Sequence, residues 1–240
     1  MDISVVVLVG GLGTRVREVS GGLPKPMMPV AGRPFLEHVL RYLALSGIRR
    51  IVLATGYKAE LVEEHFGDGV ALGLHVTYSC EDEPLGTGGA LSKACECVGD
   101  WPVLALNGDS FLEVDLPAML AFHTAHGKPL SVALAHVKDT GRFGRVRLDS
   151  TGGIVAFEEK TSAGPGLVNG GVYLMEREVQ LRIPVQKCSF ERDVLPSLLG
   201  GGAVGFVTSG FFVDIGVPAD YRRLVRSPGT FLRAIGGRQR

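Results

Sequence analysis

The chain has 240 residues, with 25 Lys+Arg balancing 25 Asp+Glu, 45% hydrophobic and 21% charged residues, and 34 glycines. Glycine is about twice its usual share of ~7%, without the period of three that marks collagen. Zero net charge lacks the basic excess of a nucleic-acid surface, and no apolar run approaches the ~20 residues of a membrane span. The opening Met1-Asp2-Ile3-Ser4 has no basic n-region, so a secretory leader is not expected. Cys80, Cys95, Cys97 and Cys188 are too few and too scattered for a disulfide framework. Cys95 and Cys97 lack a second Cys/His pair at zinc spacing, so free thiols in a reducing cytoplasm are the simpler reading.

Residues 3–9 form an apolar, β-branched run stopped by Gly10-Gly11, the pattern of a strand buried on both faces. Residues 34–46 carry helical periodicity, opened by Pro34 and stopped by Gly47. A buried strand over 51–54, a helix over 59–66 closed by Gly67, an alternating strand over 74–78, a helix over 89–98 and a buried strand over 102–106 follow. The second half predicts a strand over 130–137, glycine-marked hairpins near Gly141, Gly144 and Gly152-Gly153, strands over 168–174 and 204–213, and a helix over 218–226. Residues 227–240 are weakly patterned and are expected to form a partly mobile C-terminal tail. Strands alternating with helices of about ten residues predict an α/β protein: a Rossmann-like, open, mostly parallel mixed sheet flanked by helices.

Ligands of open α/β sheets bind beyond the carboxyl ends of strands. The first such end carries Gly10-Gly11-Leu12-Gly13-Thr14-Arg15. Glycines let backbone N–H groups close around a phosphate. The loop is neither a dinucleotide fingerprint, since Val16 replaces its third glycine, nor a P-loop, since no G-K-[ST] follows. Arg15, together with Lys25 on a segment stiffened by Pro24, Pro26 and Pro29, suits a triphosphate. By themselves these two cations would equally serve as solvated loop charges.

The run Val9 to Arg15, with Leu23-Pro24-Lys25-Pro26-Met27, resembles the signature of the sugar-phosphate nucleotidyltransferases, with Val9 where many members carry Ala. Five further segments resemble that family in its order. They are Glu81-Asp82-Glu83-Pro84-Leu85-Gly86-Thr87-Gly88-Gly89, Asn107-Gly108-Asp109, Phe157-Glu158-Glu159-Lys160, Val168-Asn169-Gly170-Gly171 and Asp214-Ile215-Gly216-Val217-Pro218. The resemblance implies one nucleotidyltransferase domain over 1–226, with a nucleotide half at about 1–125 and a sugar-phosphate half at about 126–226. It implies that a sugar 1-phosphate oxygen attacks the α-phosphorus of a nucleoside triphosphate and pyrophosphate leaves, with Mg2+ as cofactor. Asp109 and Asp214, each at a predicted strand end, are the implied metal ligands. Arg15, Lys25 and Asp109 are the implied catalytic residues. Gly10, Gly11, Gly13, Thr14, Glu81, Gly86 and Thr87 would hold the nucleotide. Gly144, Glu159, Lys160, Asn169 and Gly170 would hold the sugar phosphate.

Uridylyl- and thymidylyltransferases of the family carry glutamine where Glu81 stands. A carboxylate only accepts hydrogen bonds, which suits the N1–H and N2–H of guanine, although uracil also offers an N3–H. GTP is therefore the preferred donor. The compact length resembles the branch acting on D-glycero-D-manno-heptose 1-phosphate. Mannose 1-phosphate comes next, then an amino-sugar 1-phosphate with UTP. A catalytically silent nucleotide-sugar-binding subunit would also keep the fold, but would be expected to lose Lys25, Asp109 or Asp214. The partners are thus small anions, with no nucleic acid and no membrane. Whether the chain forms a homo-oligomer is left open.

Overall fold

The computed structural model describes residues 3–11, 21–158, 164–184 and 186–236. The first half runs β1 (Val5–Leu8), a two-residue ribbon of β2 (Pro29–Val30) and β3 (Arg33–Pro34), α1 (Phe35–Leu45), β4 (Arg50–Thr55), α2 (Ala59–Phe66), β5 (His75–Cys80), α3 (Gly86–Cys95) and β6 (Val103–Asn107). The second half continues with β7 (Ser110–Leu112), α4 (Leu116–His126), β8 (Leu130–Val137), β9 (Arg145–Leu148), β10 (Ile154–Glu158), β11 (Gly166–Met175), the single turn α5 (Arg177–Gln180), β12 (Ala203–Thr208), β13 (Phe212–Asp214), α6 (Pro218–Arg226) and α7 (Gly229–Gly236).

Nine strands form one mixed sheet, ordered β10-β9-β11-β6-β1-β4-β5, with β8 on β11 and β12 on β8. The ladders β6-β1-β4-β5 and β8-β12 are parallel, while β11 runs antiparallel to β6, β8 and β9. Val5, Val6 and Val7 are fully buried because β1 has strands on both sides and a hydrophobic layer on each face. The chain leaves β1 toward β4 and β5, then returns to place β6 on the other side of β1. The gap between β1 and β6 is therefore the topological switch point at which such sheets bind ligands. Leu8 pairs with Asn107 in register, so both strands end side by side.

Four sequence expectations change. Helix α3 starts at Gly86, three residues earlier than its periodicity suggests. Its first residue has to be glycine, because φ is +72 and the backbone of Cys188 lies where a side chain would stand. Helix α4 was not expected, although Asp115 caps it by accepting from Ala118 N–H at 3.0 Å and Gly127 closes it at φ +57. The stretch 204–213 is two strands in two sheets, broken at Gly210, where the Glu113 carbonyl leaves no room for a Cβ. Finally, the expected tail contains α7.

Phe231 of α7 is fully buried and stacks on Phe35 with 5.5 Å between ring centroids. It also meets Phe111 edge-on at 5.3 Å, so the helix closes the hydrophobic layer over α1. Phe231→Ala is therefore expected to destabilise the protein by about 3–5 kcal/mol, read as a lower urea midpoint. An unchanged midpoint would show that α7 is merely appended.

Candidate active site

Two cavities open along the carboxyl ends of β1 and β6 and share Asn107 and Asp109 in their walls. The first, about 390 Å3, is bounded by Leu8 to Gly11, Lys25, Glu81, the first turn of α3 at Gly86 and Thr87, and Lys187. The second, about 550 Å3, is bounded by Arg142, Gly144, Arg145, Glu158, Asn169, Glu191, Arg192 and Asp214, with Phe143, Phe157 and Phe212 as apolar walls.

At the first cavity, a Cβ on Gly10 would come within 3.0 Å of Glu81 Oε1 and 3.3 Å of Gly56 N, so only glycine lets the strands approach this closely. Gly11 faces open space. Gly13, Thr14 and Arg15 lie outside the described residues. Glu81 follows β5, and its Oε2 accepts from Leu85 N–H at 2.7 Å, which fixes the carboxylate against the cavity. Burial pushes its pKa up, with Leu85 N–H and Lys93 pulling the other way. Thr87 lines the cavity with its hydroxyl already engaged, donating to Glu191 Oε2 at 2.7 Å and accepting from Phe190 N–H at 2.8 Å.

Where the cavities meet, Lys25 stands on a one-turn 3-10 segment, Lys25–Met27, held by Pro24 and Pro26. Its Nζ lies 3.1 Å from Asp109 Oδ2. Asp109 follows β6 by a tight step at Gly108, whose N–H bonds the Leu8 carbonyl at 2.8 Å. Asp214 arrives from far along the chain because β13 pairs with β7, setting Asp214 opposite Ser110. Ile215 N–H then bonds the Asp109 carbonyl at 3.0 Å.

The point where a Cβ would sit on Gly216 is 2.8 Å from Asp214 Oδ1, 3.3 Å from Lys25 Nζ and 3.6 Å from Asp109 Oδ2. Burial, and then the charge of Asp109, push the Asp214 pKa up to about 6, against the pull of Gly216 N–H and Lys25. Two carboxylates facing one ammonium leave excess negative charge in a sheltered place. An all-oxygen pair of this kind suits a hard divalent cation. No group of three or more His, Cys, Asp or Glu side chains gathers for a metal among the described residues. Such a cation would therefore complete its shell with water and phosphate oxygens, as Mg2+ commonly does.

In the second cavity Gly144, at φ +79, passes the Glu158 carbonyl where a Cβ would come to 2.7 Å. Asn169 Nδ2 donates to the Tyr173 hydroxyl at 2.9 Å, and its Oδ1 accepts from Gly171 N–H at 2.9 Å. Gly170 does not line the cavity: it packs under Leu112, and its neighbour Gly171 forms the wall. A bulge in β11, between Asn169 and Tyr173, produces this exchange. Glu159 and Lys160 lie outside the described residues.

Several lining residues were not singled out from the sequence. Asn107 reaches both cavities, its Nδ2 lies 3.4 Å from Glu191 Oε1, and its buried Oδ1 has no partner among the described residues. The motif around Asp109 was the available signal for it. Arg142, Arg145 and Arg192 bring positive charge to the second cavity beside its carboxylates Asp109, Glu158, Glu191 and Asp214, and Arg142 pairs with the buried Asp220 at 3.1 Å. The buried Arg145 Nε has no partner among the described residues. Glu191 comes from a π-helical turn, Phe190–Val194, which no hydrophobic period announces.

A fixed carboxylate acceptor, a glycine-lined strand end, a lysine between two aspartates and a second cavity carrying three arginines can bring two phosphate-bearing molecules face to face. Among the described residues, no helix is long and apolar enough to cross a membrane. A family model for nucleotidyl transferases matches residues 4–227. The mannose-1-phosphate guanylyltransferase of Mycobacterium tuberculosis is 40% identical over 249 residues, spanning 99% of this chain and 69% of that protein. The D-glycero-alpha-D-manno-heptose 1-phosphate guanylyltransferase of Aneurinibacillus thermoaerophilus is 40% identical over 223 residues, spanning 92% of this chain and 96% of that protein. The crystal structure of HddC from Yersinia pseudotuberculosis complexed with GMP-PN superposes with a TM-score of 0.85 at 35% identity, covering 93% of this chain and 98% of that one.

Proposed function

This chain belongs to the nucleotidyl transferase family, and from that premise we propose that it transfers GMP from GTP to D-glycero-D-manno-heptose 1-phosphate and releases pyrophosphate. It is an enzyme of the sugar-1-phosphate guanylyltransferase type. The observation that carries the reading is the meeting of two cavities at Asp109, with Lys25 and Asp214 within reach of the same point. The oxygen–phosphorus bond to the sugar forms as the bond to pyrophosphate breaks, so the protein needs to position and neutralise rather than supply a nucleophile.

We assign the nucleotide to residues 1–125 and the sugar phosphate to residues 126–226. Gly10, Gly11 and Gly13 give the triphosphate backbone N–H groups, Thr14 and Arg15 hold the departing pyrophosphate, and Gly86 admits the base. Glu81 accepts from guanine N1–H and N2–H. Lys25 holds the α-phosphate as charge builds. Asp109 and Asp214 would hold Mg2+, which supplies Lewis-acid neutralisation of the phosphate oxygens when bound. Asn169 and Glu159 take sugar hydroxyls, Gly144 gives clearance, and Lys160 holds the incoming phosphate. Four free cysteines suit a reducing cytoplasm as the compartment.

The test is a matrix of GTP, UTP, dTTP and ATP against heptose, mannose and amino-sugar 1-phosphates, reading pyrophosphate. GTP with the heptose is expected to lead. A mannose 1-phosphate lead would favour the second reading, which the mycobacterial relative supports. Nucleotide binding without pyrophosphate from any pair would overturn the proposal. Glu81→Gln should cost about 1–3 kcal/mol of preference for GTP, on the order of tenfold to a hundredfold in relative kcat/KM, and raise UTP use. An unchanged GTP preference would remove Glu81 from base recognition.

A further inference from the structure

Glu191 walls the second cavity, and its carboxylate reaches back to the turn that walls the first. Its Oε2 receives the Thr87 hydroxyl at 2.7 Å and the Ser189 hydroxyl at 3.1 Å, while Asn107 Nδ2 stands 3.4 Å from Oε1. Thr87 belongs to the turn of α3 that walls the first cavity, Glu191 walls the second, and Asn107 walls both. The turn carrying Glu191 is also locked to α3 through its backbone. Gly88 N–H donates to the Cys188 carbonyl, and Cys188 N–H to the Leu85 carbonyl, each at 3.0 Å. Phe190 N–H reaches the Thr87 hydroxyl at 2.8 Å. Three hydrogen bonds therefore tie the start of α3 to the 188–190 turn. A carboxylate suits this junction because it accepts from all three donors at once, whereas a glutamine amide would turn an NH2 toward at least one of them.

We infer that Glu191 is the positioning residue that couples the two cavities, so that a nucleotide seated against α3 sets the groups that receive the sugar and each substrate tightens the binding of the other. The inference rests on the guanylyltransfer reading above. The nucleotide presses on the Gly86-Thr87 turn; Thr87 carries that position to Glu191, and Glu191 carries it to Asn107 beside Asp109. Coupling of this kind is reciprocal, and typical couplings span about 5–150-fold in affinity. Its loss leaves each substrate able to bind alone.

The experiment is calorimetry with a GTP analogue carrying an α,β-methylene bridge, with and without saturating sugar 1-phosphate, using whichever of the heptose and mannose compounds the wild type turns over. About tenfold tightening of the analogue by the sugar 1-phosphate is expected in the wild type. Glu191→Gln should bind the analogue alone within about twofold of wild type and lose the tightening. In turnover the same variant should raise the sugar 1-phosphate KM more than it lowers kcat. Where Glu191→Gln fails to fold, Glu191→Asp keeps the charge but withdraws the carboxylate from Thr87 and Asn107, and must abolish the tightening in its place. Wild-type tightening retained in the folded variant, or absent from the wild type, overturns the inference. Absence of wild-type pyrophosphate release overturns the underlying reading instead, and it is measured first so that the two failures are distinct.

Discussion

Lys25→Ala is expected to lower kcat by roughly two to three orders of magnitude, the loss typical of removing one preorganised group from a developing phosphate charge. The Lys25 side chain is largely buried, 18% exposed, and its Nζ already stands 3.1 Å from Asp109, at the junction of the cavities. It therefore needs little reorganisation when a phosphate arrives. The folded state should survive the change, because Lys25 is tied through one carboxylate at the cavity rim rather than through the hydrophobic layers. Circular dichroism should stay near wild type while pyrophosphate release collapses. Lys25→Arg should not restore full activity, since a forked guanidinium does not replace a compact ammonium at a fixed distance from two carboxylates. Near-normal turnover in Lys25→Ala would remove Lys25 from the chemistry.

Asp214→Asn is expected to abolish most activity and yet to stabilise the protein near neutral pH. Burial, followed by the charge of Asp109, raises the folded-state pKa of Asp214 to about 6 from an ordinary 3.8. A raised carboxyl pKa means that the folded state holds the proton more tightly than the unfolded one. Stability then falls as pH rises from about 4 to 6, and the full cost is present above that window. The size is on the order of 2–3 kcal/mol. The asparagine variant escapes that cost, so its advantage over wild type should grow between pH 4 and pH 7 and vanish below pH 4. Thermal unfolding across that range, without divalent cation, checks the sign. A variant no more stable than wild type at pH 7 would mean that Asp214 titrates normally. In turnover by the wild type, protons and Mg2+ would compete for Asp214, so the Mg2+ needed for half-maximal rate should rise about tenfold per pH unit below pH 6.

The same group thus opposes folding and, in the proposed reaction, would hold the cation. Without a cation, Asp214 and Asp109 repel each other around Lys25, and a divalent ion would turn that cost into binding energy. The pairing of β13 with β7 and the Ile215 N–H bond to the Asp109 carbonyl hold the carboxylates in place against their repulsion.

Legibility in the sequence followed the range of the interaction that sets each feature. The strands at 3–9 and 130–137 and the helices at 59–66 and 218–226 were readable because burial period, proline and glycine stops act over a few neighbours. Glycine at 10 and 108 marks a close approach of backbone, although only the structure shows what approaches: Glu81 at Gly10 and the Leu8 carbonyl at Gly108. Gly170 carried the same outward signal for another reason, contact with Leu112, while Gly86 both packs on Cys188 and walls the first cavity.

The sequence by itself determined the α/β class and the placing of Gly10, Glu81, Asp109 and Asp214 at or just beyond strand ends, because these are residue types at short spacings and chemistry reads them directly. The tertiary structure alone decided that Asp214 stands beside Asp109, that Phe231 closes the core from a helix in the expected tail, and that Glu191 joins the two cavities. Each depends on strands or turns far apart in the chain packing against one another, and such contacts leave no local periodicity behind.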